Sequence, residues 1–140
     1  MQILLRAFLI LLCLVSYPMH KAEAKLRVDI TQGVVEPIPV AITQMGGTDA
    51  TSAKVGQDIS KVVGQDLERS GLFKAIDPNS LVQDAASAHN APRFPDWRVL
   101  NAQGLVTGVV APQGDGRLRV EFRLWDVFAE QQMSGMAYFT

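Results

Sequence analysis

The chain has 140 residues, a formal net charge of −1 and 48% hydrophobic residues. That length and apolar content suffice for one domain with a packed core. A charge this close to neutral is no electrostatic lure for nucleic acid or anionic lipid, so neither is expected as a partner.

The opening MQILLRAFLILLCLVSYPMHKAEA has a weakly positive start at Arg6, an apolar stretch over residues 7–15 and a break at Pro18. Ala22 and Ala24 are small residues at the positions a signal peptidase reads. The apolar run falls short of the roughly 20 residues a bilayer span needs. Residues 1–24 are therefore predicted to be a cleavable signal peptide, with no membrane insertion of the chain after cleavage. Leu11 and Leu12 precede Cys13, where a lipobox wants a small residue, so Cys13 belongs to the hydrophobic signal core. Cleavage removes this single cysteine, and with it any disulfide, thiolate ligand or thiol nucleophile. It also removes Arg6, Lys21 and Glu23, which takes the net charge from −1 to −2.

A strand is predicted at once after the cut. Leu26, Val28 and Ile30 alternate with Arg27, Asp29 and Thr31, period two with one apolar face, and Gly33 allows a turn. Residues 37–42 form a second apolar run, whose prolines at 37 and 39 belong at its start or on an edge. Residues 46–49 read as a loop. Val55, Ile59, Val62, Val63 and Leu67 then mark one face of a long helix. Thr51 or Ser52 is its predicted cap, and Gly71 fits the left-handed position past its end. Gly56 and Gly64 cost roughly 1 kcal/mol each inside a helix. Close approach of the helix to a sheet would account for both.

Residues 72–76 read as a short strand stopped by Asp77-Pro78. Residues 83–95 read as a loop with at most one weak turn. Asp96 is expected to cap a short helix carrying Trp97, Val99 and Leu100. Residues 105–110 form a buried strand, and residues 111–116 a turn. Leu118, Val120, Phe122 and Leu124 alternate with Arg117, Arg119, Glu121 and Arg123 in a half-buried strand. A turn near residues 126–131 leads into a last strand. The order β-β-α-β-(α)-β-β-β predicts an α/β fold, a two-layer domain with a mixed β-sheet and one long and one or two short helices on one face.

Parts for chemistry are scarce. With His20 lost to the signal, His89 is the one remaining histidine. It sits in a polar stretch without neighbours at metal-ligand spacing and is read as a solvated loop residue. No G-x-S-x-G motif is present. Asp66 and Glu68 do not share a helix face, and Asp126 and Glu130 read as surface charge. Gly114-Asp115-Gly116 precedes a strand, so it is a hairpin turn rather than a phosphate loop. Arg117, Arg119 and Arg123 form a stripe interrupted by Glu121, expected to be a solvated face with cross-strand pairs. No enzyme, cofactor or metal site is expected.

The stretches LRVDITQGVVEPIPVAI, VGQDLERSGLFKAIDP and DWRVLNAQGLVTGVVAPQGDGRLRVEFRLWDV resemble the N-terminal domain of the TolB family. These are periplasmic components of the Tol-Pal system of Gram-negative bacteria. The resemblance spans nearly all of residues 25–140. It is most specific at the joint D-L-x-R-S-G-x-F, from Asp66 to Phe73, and over residues 97–108. It implies a non-enzymatic, periplasmic protein-interaction module that supports outer-membrane integrity and invagination during division. In the family, the first dozen or so mature residues bind the C-terminal domain of TolA. The resemblance thus assigns Lys25, Leu26, Arg27, Val28, Asp29, Ile30, Thr31, Gln32 and Gly33 to a partner-binding strand, with the α/β domain over residues 34–140. A free strand of this kind can add to an exposed sheet edge of its partner. Family members continue into a six-bladed propeller that binds Pal, so Pal is a partner only if that propeller follows Thr140. The competing expectation is a stand-alone secreted domain that binds a small ligand or anion.

Overall fold

A computed structural model describes residues 36–140. Its first strand, β1 (Ile38–Ile42), lies inside the sheet although Pro39 brings no ladder donor. The geometry explains the tolerance. Ile38 donates to Leu72 on one side, and Pro39 accepts from Gln103 on the other, just before the neighbouring strand begins. The proline therefore sits at the strand's start, as its chemistry requires.

β1 is followed by the two-residue strand β2 (Gly46–Gly47), helix α1 (Ala50–Arg69) and β3 (Phe73–Ala75). A 3₁₀ turn at Pro78–Ser80 leads to α2 (Ala85–Asn90) and α3 (Phe94–Val99). Then come β4 (Gly104–Pro112), β5 (Leu118–Asp126) and β6 (Gln131–Phe139). The sheet order is β3-β1-β4-β5-β6, with β2 beside the far end of β4. β1 runs parallel to β3 and to β4, whereas β4, β5 and β6 form an antiparallel meander. The predicted mixed α/β sheet with one long and two short helices is what forms, but the helices do not all lie on one face as expected, because of the direction of the crossovers.

The two crossovers step in opposite directions from their starting strands. β1 through α1 reaches β3 on one flank, and β3 through α2 and α3 returns past β1 to β4. Right-handed crossovers that reverse direction place their connecting helices on opposite faces of the sheet. The side chains agree. Ile59, Val63 and Leu67 of α1 line a groove with Val40, Val106, Phe122 and Leu124. On the other face Ala88 of α2 and Trp97 of α3 join Ala41, Leu105, Ala102 and Val127 in a core with no exposed surface.

Four local expectations are corrected. The cap of α1 is Asp49, not Thr51 or Ser52: its carboxylate accepts from both their backbone amides at 2.9 Å, and the Ser52 hydroxyl closes a capping box. Gly46–Gly47 is a short parallel strand against Val109 and Val110, not a loop. A Cβ on Gly47 would stand 2.1 Å from Ala53 N, so glycine lets the chain fold back beneath the first turn of α1. Residues 83–95 hold all of α2, capped by Asp84, and the start of α3. Burial of Ala88 outweighed the weak local pattern. Asp96 lies in the first turn of α3 rather than at its cap, because Pro95 already fits the helix start. Gly71, by contrast, takes the predicted left-handed conformation, φ 72°.

Candidate functional site

The nine residues assigned to partner binding, Lys25 to Gly33, lie outside the described residues, as does the predicted signal peptide. Within residues 36–140, functional chemistry gathers in two places: a buried polar cluster under α2, and the outer part of the sheet at β5 and β6.

His89 is not a solvated loop residue. It lies on α2, is 3% exposed and has both ring nitrogens engaged. Nδ1 is 3.2 Å from Thr107 Oγ1, and Nε2 is 3.3 Å from Glu121 Oε1. Trp125 Nε1–H donates to the same Thr107 hydroxyl at 3.1 Å. One proton arrangement satisfies every group. Trp125 donates to Thr107, Thr107 donates to Nδ1, and the neutral ring donates from Nε2 to the Glu121 carboxylate. Burial is the main force pushing the His89 pKa down. Arg123 adds to it, while the Glu121 hydrogen bond opposes it. Burial pulls the Glu121 pKa up, but hydrogen bonds from Arg119, Arg123 and His89 outweigh it, and the net direction is down.

Thr107, His89 and Glu121 stand in the order of a nucleophile, a base and an acid. Thr107 nevertheless has no exposed surface, so its hydroxyl is out of a substrate's reach and the row ties α2 to two strands. A residue 18 positions from Thr107 and 32 from Glu121 carries no local signal of this contact. The one legible hint was Asp84 with Ser87 three residues on, a helix cap that the polar composition obscured.

The arginine stripe is only partly a solvated face. Arg119 and Arg123 both bind the Glu121 carboxylate, at 2.5 and 3.0 Å, along their own strand rather than across strands. Arg123 also donates to the backbone carbonyl of His89 at 3.1 Å. Arg117 pairs with Asp115 in the turn. Asp126 caps the β5–β6 turn through Phe128 N and Ala129 N, and Glu130 pairs with Arg98.

The opposite face of the same strands is apolar. A groove of about 460 Å³ runs between α1 and β5, and Tyr138 of β6 closes its far side by stacking on Phe122 at 6.1 Å. All nine residues of β6 are exposed, including Met133, Met136, Tyr138 and Phe139. Among the described residues β6 pairs with β5 alone. An open edge beside exposed apolar side chains is a surface suited to protein contact.

The N-termini of α1 and α2, where an anion could settle, carry the chain's own carboxylates Asp49 and Asp84. Hydrogen bonds from Ser52 lower the Asp49 pKa, and hydrogen bonds from Ser87 lower that of Asp84. Among the described residues, no cluster of three or more His, Cys, Asp or Glu could hold a metal, and no helix is long and apolar enough to cross a membrane.

The family model of the TolB amino-terminal domain matches residues 26–133. The Tol-Pal system protein TolB of Paramagnetospirillum magneticum is 50% identical over 131 residues, which is 94% of this chain and 29% of that protein. The chain thus spans under a third of this relative's length. Among solved structures, TolB from Acinetobacter baumannii superposes with a TM-score of 0.57 at 24% identity, over 73% of this chain and 23% of that one. The C-terminal domain of LpoB from Escherichia coli gives 0.54 at 10% identity, over 77% and 85% of the two chains. These two superpositions speak to the fold.

Proposed function

The chain belongs to the TolB amino-terminal domain family, and on that premise we propose that it is a periplasmic, non-enzymatic docking module of the Tol-Pal system. Its partner in this reading is the C-terminal domain of TolA, engaged through residues 25–33, in support of outer-membrane integrity and division. The observation that carries the reading is the period-two alternation Leu26, Val28, Ile30 against Arg27, Asp29, Thr31. An unattached strand of this pattern supplies backbone donors and acceptors for a sheet edge and alternate side chains for its pockets. The family match begins at residue 26 and so includes all but the first residue of this segment, which supports the reading. The signal peptide of residues 1–24 would deliver the chain to the periplasm and expose this segment as its new terminus.

The test is a calorimetric titration of the chain beginning at Lys25 against the TolA C-terminal domain, alongside the same chain lacking residues 25–32. Binding that vanishes with the segment, while circular dichroism remains unchanged, supports the reading. Equal binding by both forms moves the contact elsewhere. A deletion that unfolds the domain makes the segment part of the fold first.

A further inference from the structure

We propose that His89 is a pH-operated latch, and that protonating its ring releases α2 from the face of β4 and β5. Few buried side chains hold α2 to the sheet. The helix has six residues, and only Ala88 and His89 are buried. Ala88 contributes one methyl group to the core, and Arg123 donates to the His89 backbone carbonyl at 3.1 Å. The one buried polar side chain that α2 itself sends to the sheet is the histidine ring, bonded to Thr107 on β4 and Glu121 on β5.

That anchor works in one protonation state. With the ring neutral, each proton in the row from Trp125 through Thr107 to His89 and Glu121 has an acceptor. A second ring proton turns Nδ1 into a donor aimed at Thr107 Oγ1, which already receives the Trp125 N–H at 3.1 Å. The Thr107 hydroxyl hydrogen then loses its acceptor in a site with no exposed surface. The charges add to this. From β5 the ring faces Arg119, Glu121 and Arg123, and one carboxylate there already serves two guanidinium groups. A protonated ring would be its third cation. From β4 the ring faces Thr107, which is uncharged. On the helix itself Asp84 is occupied with the Ser87 amide at the cap. The ionic groups of α3 are engaged elsewhere: Arg93 with Asp96, and Arg98 with Glu130. No second carboxylate among these groups is free to receive the added charge.

Release of α2 would uncover Thr107 and the inner side of the Arg123–Glu121 pair without dismantling the sheet. The test is amide hydrogen exchange on the whole chain at pH 7.5 and pH 5, corrected for intrinsic chemistry. We expect the opening of residues 85–91 to rise by about tenfold at pH 5, the effect of losing one buried hydrogen bond, with α1 and β4 unchanged. The variant His89→Gln should remove the pH dependence of that segment. Should this variant not fold, a ¹⁵N titration of the His89 ring in the unaltered chain decides alone. Ring protonation that leaves protection of residues 85–91 unaltered overturns the latch. Loss of protection by all segments together overturns it as well.

Discussion

The backbone carbonyl of Met45 occupies the space where a side chain on Gly56 would begin: a Cβ there would stand 2.3 Å from the Met45 oxygen. The same helix carries Gly64, whose Cβ would meet nothing nearer than Ile42 Cδ1 at 3.5 Å, an ordinary contact. The two glycines look equivalent in sequence, yet only Gly56 is required by a close approach. Gly56→Ala should destabilise the fold by about 1–3 kcal/mol, because overpacking against backbone exceeds the gain in helix propensity. Gly64→Ala should stabilise it by up to about 1 kcal/mol. Urea denaturation of both variants checks the pair. Equal effects would mean that the Met45 contact is not what selects glycine.

Trp97 is fully buried, packs in the core on the α2–α3 face and donates from Nε1 to Gln83 Oε1 at 3.3 Å. Trp97→Ala should cost about 3–5 kcal/mol and leave much of the chain unfolded near room temperature. Trp97→Phe keeps most of the ring volume and should cost clearly less. Thermal melts of the two variants separate volume from hydrogen bonding.

Stability should fall in two stages on acidification. The His89 pKa is depressed, through burial first and Arg123 second, so the unfolded chain binds this proton more readily. Its contribution is therefore complete above the ordinary value of 6.5 and is lost as pH falls below it. The Asp49 and Asp84 caps, held down by their hydrogen bonds, contribute fully above 3.8 and lose that share as pH falls through their lower folded values. Glu121 follows the same sign from 4.5. Urea midpoints at pH 7.5, 5.5 and 3 should decrease in that order. His89→Phe should flatten the first step alone, and Asp49→Asn should reduce the second.

Met133 lies on β6 at the register shift opposite Leu124 and Trp125, and is 63% exposed. Met133→Lys should change stability by no more than about 0.5 kcal/mol. It should also lower self-association of the chain, because a lysine on an open edge opposes strand pairing. Sedimentation velocity at rising concentration provides the readout. Unchanged association would place any self-contact away from this edge.

Much of the fold was legible because it rests on local periodicity. The alternation from Leu118 to Leu124 and the stripe of Val55, Ile59, Val63 and Leu67 each turn one apolar, half-buried face inward, while Val62, also read into that stripe, is 54% exposed. The stop at Gly71 follows from its own backbone freedom. For the candidate site, the segment of residues 25–33 came from its alternation and from family resemblance. The β6 surface was visible only as a last strand, since exposure depends on what packs above it.

By itself, then, the sequence determined the type and order of the main elements and the family to which they belong. The tertiary structure decided which face of the sheet each helix covers, since the strand order sets the direction of each crossover and chirality sets its side. It also decided that His89 is buried. The ring reaches Thr107 and Glu121 only because β4 and β5 pair Thr107 with Arg123 and Val109 with Glu121, setting both partners on one face beneath α2. Contacts between residues so far apart in the chain arise from strand register, which no local pattern encodes.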